Sequence, residues 1–116
     1  MPTEGLVGPY QLDHETIDRF VTKSSCGVFV IGNQGQDGKF YIDRVGRSDT
    51  NLRQGLYDCI GTDGAFKFRM FTNSKDAFTL ECDIFHAIHP PMTIMHPEPP
   101  TGQKLRCPHC QALDNA

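Results

Sequence analysis

Cys26-Gly27-Val28-Phe29-Val30-Ile31, then Gly32-Asn33-Gln34-Gly35-Gln36-Asp37-Gly38, then Phe40-Tyr41-Ile42-Asp43-Arg44-Val45: these consecutive stretches decide the fold. The first is a continuous apolar run of strand length, rich in β-branched and aromatic residues. The second is turn chemistry throughout. The third reads as another strand. Two strands joined by a short Gly/Asn/Asp loop predict an antiparallel hairpin over 26–31 and 40–45.

Working outward, Asp13 is placed to cap a short helix in which Ile17, Phe20 and Val21 fall on one face. Ser24-Ser25 closes that helix, and residues 1–10, with Gly5, Gly8 and two prolines, are expected to form a flexible arm. Beyond the hairpin, Gly46-Arg47-Ser48-Asp49 breaks the strand and offers Ser48 or Asp49 as the cap of a helix carrying Leu52 and Leu56. Gly61-Thr62-Asp63-Gly64 is a loop. Phe66, Phe68 and Met70 then alternate with Lys67, Arg69 and Phe71, the period of a half-buried strand over 65–72. Asn73-Ser74 starts a last helix with Ala77, Phe78, Leu80, Ile84, Phe85 and Ile88 at helical spacing, and Pro90-Pro91 stops it. The expectation is a small α/β (α+β) fold, a three-stranded antiparallel sheet flanked by helices, followed by a proline-rich tail over 89–116.

At 116 residues the chain predicts one domain, residues 11–116, whose modest core would gain from a metal staple. Met1-Pro2-Thr3-Glu4-Gly5 has neither a basic start nor an apolar run, and no stretch approaches a membrane span. Five cysteines in such a chain read as metal-binding or buried thiols of a reduced, cytoplasmic protein. The net charge of −3 does not advertise a nucleic-acid binder, yet Lys39–Lys75 holds seven bases against four acids. A basic middle of this kind suits a local phosphate-facing surface.

The firmest chemistry lies at the C-terminal end. Cys82 and His86 stand one helical turn apart, and Cys107-Pro108-His109-Cys110 has the spacing with which two thiolates grip one tetrahedral ion. Together they supply a Cys3His set for a structural zinc, with His89, His96 and His109 competing for the histidine place. A closed four-ligand sphere leaves no open position, so this metal is expected to be structural. A redox role is disfavoured, because redox Cys-x-x-Cys pairs start a helix after a strand.

A second constellation is sparser. Glu81 is an acid inside the apolar pattern of the last helix, and Arg44, Arg47 and Arg53 lie upstream. A carboxylate for Mg²⁺ or Mn²⁺ plus guanidinium groups for phosphate is the minimum kit for metal-assisted phosphodiester hydrolysis.

Gly27-Val28-Phe29, Arg44-Val45-Gly46-Arg47-Ser48-Asp49, Leu52-Arg53 and Ala77-Phe78-Thr79-Leu80-Glu81-Cys82 resemble, in order and spacing, the GIY-YIG nuclease domain over roughly residues 26–88. The resemblance implies that Gly27-Val28-Phe29 and Arg44-Val45-Gly46 are the two hairpin tripeptides. It further implies that Arg53 is the phosphate-binding arginine and Glu81 the metal-binding glutamate. Two departures stand out: the family's tyrosines are Phe29 and Arg44 here. With both hydroxyls gone, a candidate base for the attacking water is lost, and slow or absent turnover is expected. Tyr41, on the opposite strand face from Arg44, is a poor substitute, and Tyr57, one turn beyond Arg53, is the weaker alternative. Three functions follow: a divalent-metal-dependent DNA endonuclease with a degenerate site, a non-catalytic nucleic-acid-binding module using Arg44, Arg47 and Arg53, or a zinc-stabilised protein-interaction domain. Oligomeric state is not legible.

Overall fold

In the computed structural model, which describes residues 5–23, 25–93, 95–111 and 113, the chain is α+β with a four-stranded antiparallel sheet and three helices. The strands are β1 (Val7–Gln11), β2 (Gly27–Gln34), β3 (Phe40–Ser48) and β4 (Ala65–Met70), and the helices α1 (His14–Phe20), α2 (Leu52–Tyr57) and α3 (Ser74–Ile88). The spatial order is β1-β4-β2-β3. The fourth strand, β1, corrects the reading of residues 1–10 as an arm: Val7, Tyr10 and Gln11 pair with Phe68, Phe66 and Ala65. Glycine and proline masked this strand, since only its pairing to β4 makes it extended. Residues 1–4 and Ser24, read as arm and helix stop, lie outside the described residues, as do 94, 112 and 114–116 of the tail.

The hairpin is β2 against β3, with Phe29 opposite Gly46 and Val30 opposite Val45. β2 is central and also pairs with β4. Its apolar run is continuous because both faces are covered. Phe29 and Ile31 join Ile17, Val21, Leu52, Leu56 and Phe66 on the side of α1 and α2. Val28 and Val30 join Val45, Ala77, Leu80 and Ile84 on the side of α3. The alternation of β4 is as expected, with Phe66 and Phe68 buried and Arg69 exposed.

Asp13 and Asn73 cap α1 and α3 by accepting the backbone N–H of Thr16 and Asp76. The cap of α2 is Asn51 rather than Ser48 or Asp49. Ser48 still belongs to β3, and its hydroxyl accepts the Asn51 N–H, which lengthens the turn before the helix. α3 ends at Ile88, and His89 adopts the left-handed conformation ahead of Pro90. No helix among the described residues is long and apolar enough to cross a membrane.

The tail is not loose where it passes the sheet. β3 has β2 on one side and would present bare main-chain groups on the other. There the Met92 N–H donates to the Asp43 carbonyl at 2.7 Å, and the Val45 N–H donates to Thr93 Oγ1 at 3.0 Å. Thr93 Oγ1 also donates to the Val45 carbonyl at 3.3 Å. The strap closes an edge that natural sheets rarely leave open.

Candidate metal centre

Four donors converge beyond the C-terminal half of α3: His86 from the helix, His96 from the proline-rich segment, and Cys107 and Cys110 from the last turn. One ligand atom from each lies within 4.8 Å of all the others. His96 Nε2 is 3.2 Å from His86 Nε2 and 3.3 Å from Cys110 Sγ. Metal–ligand bonds of about 2.0–2.3 Å give a tetrahedron with edges of about 3.3–3.8 Å, which these two separations approach, and the two-imidazole, two-thiol composition is consistent with zinc.

The protonation chemistry agrees with the geometry. His96 Nδ1 lies 2.8 Å from the Pro97 carbonyl, and a proton donated there leaves the Nε2 lone pair for a metal. Burial pushes the Cys107 thiol up, but the His109 and Cys110 backbone N–H groups and the His96 ring outweigh it and bring the group down to about 7. The His109 N–H donates to Cys107 Sγ at 3.4 Å. Desolvation, then the neighbouring His96, His109 and His89, lowers His86, which keeps that imidazole in its neutral, ligating form.

Cys82 was expected in this set and is not one of the four; His96 takes the fourth place. Cys82 is fully buried with Phe78 and Cys107 behind the metal turn. Burial and the adjoining Cys107 sulfur push its thiol well above the ordinary range, so it stays protonated. The i,i+4 spacing correctly placed Cys82 and His86 on the face that meets the tail. The fold then used the first position for packing and the second for a donor. His89 caps α3 instead, and the His109 ring turns to Asp83 on the helix.

The second constellation is divided by the sheet. Arg53 is on α2, where its Nε donates to the Val21 carbonyl at 3.0 Å. Phe29 is buried on that same side, against Gly46 and Gly55, where a Cβ at position 46 would run into its ring. Arg44 is half-buried, with a guanidinium N 3.9 Å from Cys59 Sγ. Glu81, on α3, packs against the opposite face. Its carboxylate accepts from Arg47 at 2.7 Å, and Arg47 also reaches Asp49 at 2.6 Å and lies over the Phe78 ring. Burial raises Glu81 to about 7 despite Arg47, with Asp49 adding to the rise. The structure therefore brings Glu81 to Arg47, not to Arg53. That pairing was missed in the sequence, although alternation carried its signal: Arg47 pairs with Val28, whose side faces α3.

Compared with family models, curated proteins and solved structures, the chain shows no match.

Proposed function

We propose that this chain is a zinc-stabilised binding module without hydrolytic turnover, with nucleic acid as the partner that the GIY-YIG-like motif order implies. The observation that carries the reading is the His86/His96/Cys107/Cys110 quartet, which ties the last helix to the tail and whose four protein donors fill a tetrahedral sphere. Zinc is the ion proposed there, because thiolate and imidazole together match its softness and it accepts tetrahedral geometry without strain. Against turnover stand two features of the other constellation. Glu81 is already neutralised by Arg47, and Phe29 and Arg44 bring no hydroxyl that could activate water. A Mg²⁺ or Mn²⁺ ion at Glu81 would have to displace that ion pair.

Supercoiled plasmid incubated with the purified chain and Mg²⁺ or Mn²⁺ tests the reading, beside binding titrations at rising salt. Binding that weakens with salt and with Arg53→Ala, without nicking, is expected. Metal-dependent nicking lost in Glu81→Ala would establish the endonuclease reading instead. A protein-interaction role is the second reading, favoured by the exposed Met92 and Met95 on the strap; it would be supported by a complete absence of DNA binding at low salt.

A further inference from the structure

We infer that the α3-side face of β4 is a docking platform for single-stranded nucleic acid, with Lys67 and Arg69 as phosphate contacts and Phe40 and Phe71 as stacking rings. The inference rests on the nucleic-acid reading above and names the form of the partner and the surface that holds it. The basic middle of the chain, Lys39–Lys75, contains seven bases. Three of them have partners inside the fold: Arg44 lies against Cys59, Arg47 pairs with Glu81 and Asp49, and Arg53 donates to the Val21 carbonyl. Lys67 and Arg69 are placed differently. They stand opposite Val30 and Val28 of β2, which both face α3, so the two cations share that side of the sheet. α3 packs across β2 and β3, and β4 lies beyond it, with Lys67 half-buried and Arg69 exposed. Among the described residues neither cation is in an ion pair.

An aromatic ring accompanies each cation. Lys67 Nζ is 5.4 Å from the centre of the Phe40 ring, and Arg69 Cζ is 4.8 Å from that of Phe71. Both rings are half-buried, packed against the margin of the α3-side core. Positions 67 and 69 are about 6.7 Å apart along the strand, a separation comparable to that of successive phosphates in an extended chain. A polyanion draws the cations onto its phosphates and frees the two rings for its bases. Cations along the backbone and aromatic rings under the bases are the combination that holds single strands without reading sequence. A duplex keeps its bases stacked inside and offers the rings nothing, and an acidic peptide engages the cations alone. The aromatic half of the platform therefore selects the single strand.

The test is fluorescence anisotropy with the full chain and three labelled probes: a short oligothymidylate, a duplex of equal length and a polyglutamate peptide. Wild type is compared with Lys67→Gln/Arg69→Gln, Phe71→Leu and Arg53→Ala, each checked for an unchanged melting temperature. The single strand is expected to bind at least about tenfold more tightly than the duplex. The double variant should lose at least about tenfold in single-strand affinity, and its salt slope should fall by about 1.4, at about 0.7 per phosphate contact. Phe71→Leu should weaken the single strand by about fivefold and leave the duplex unchanged. Ultraviolet crosslinking of a strand carrying 5-iodouracil, read by peptide mass spectrometry, should mark Phe40 or Phe71 and does not depend on any variant folding. Single-strand binding that is indifferent to the double variant, or a duplex bound as tightly as the single strand, would overturn the platform and leave the nucleic-acid reading standing. Binding of neither nucleic acid at low salt, whether or not polyglutamate binds, would remove that reading and the platform with it.

Discussion

Single residues carry the sharpest distinctions in this molecule. Cys82 and His86 share a helix face, yet only His86 offers its donor to the quartet. Cys82→Ala is therefore expected to keep one zinc per chain while costing about 1–2 kcal/mol of stability through lost packing, measured by elemental analysis and denaturant unfolding. His96→Ala should abolish stoichiometric zinc. Retention of zinc by His96→Ala, with loss in Cys82→Ala, would reverse the assignment. Glu81 provides a pH signature. Its folded-state value of about 7 exceeds the ordinary 4.5, so the native state holds this proton more tightly than the unfolded chain does. Stability from this group is full at low pH and falls as pH rises from about 4.5 through about 7, a change on the order of 2–3 kcal/mol. Protonation of the metal ligands acts in the opposite direction, but it is common to wild type and Glu81→Gln. The stability of wild type minus that of Glu81→Gln should therefore decline between about pH 5 and about pH 8; a flat difference would mean that Arg47 fully compensates burial.

Elements fit together here through close approach as much as through apolar area. The Phe29 ring lies against Gly46 of β3 and Gly55 of α2, which is how the helix settles onto the hairpin. Gly46→Ala is expected to cost about 1–3 kcal/mol by overpacking, with part of the loss recovered when Phe29→Leu is added. No recovery in the double variant would show that the glycine serves the backbone rather than the ring. At the start of α3, Asn73→Ala should cost about 1 kcal/mol, because Asn73 Oδ1 accepts the Asp76 N–H at 2.8 Å.

For the whole molecule, the His86/His96/Cys107/Cys110 quartet brings the last helix together with a tail in which Pro90, Pro97, Pro100 and Cys107 are buried. Cys107 is buried with Phe78 and Cys82, and the His109 ring reaches Asp83, so α3 is the anchor for the last turn. Structural zinc in small domains contributes on the order of 10 kcal/mol of apparent binding energy. Chelation should lower the melting temperature by more than about 10 °C and loosen α3 together with the tail. A melting curve unchanged by chelation of zinc-loaded protein would show that the core is independent of the tail.

By itself, the sequence determined the elements with strong local signals. The apolar run at 26–31, the glycine-rich turn, the alternation at 66–70 and the helical period after Asn73 each reflect burial on one side or both, and burial is written in residue type. It also marked the C-terminal end as the place where thiol and imidazole donors gather, because the spacing of Cys107 and Cys110 is local. What it left open depended on contacts between distant segments. β1 exists only by pairing with β4, so its glycine and proline hid it. The sequence left only the histidine place open and named Cys82 as a third thiolate; the path of the tail kept His86 and brought His96, and not Cys82, to the quartet. The sequence grouped Glu81 with Arg44, Arg47 and Arg53, and the family resemblance paired it with Arg53; β3 alternation together with the placement of α3 gave it Arg47 and put Arg53 on the other side of the sheet. Tertiary structure decided these points because a donor set or an ion pair is a matter of distance in space, and chain separation records that distance only within a turn or two.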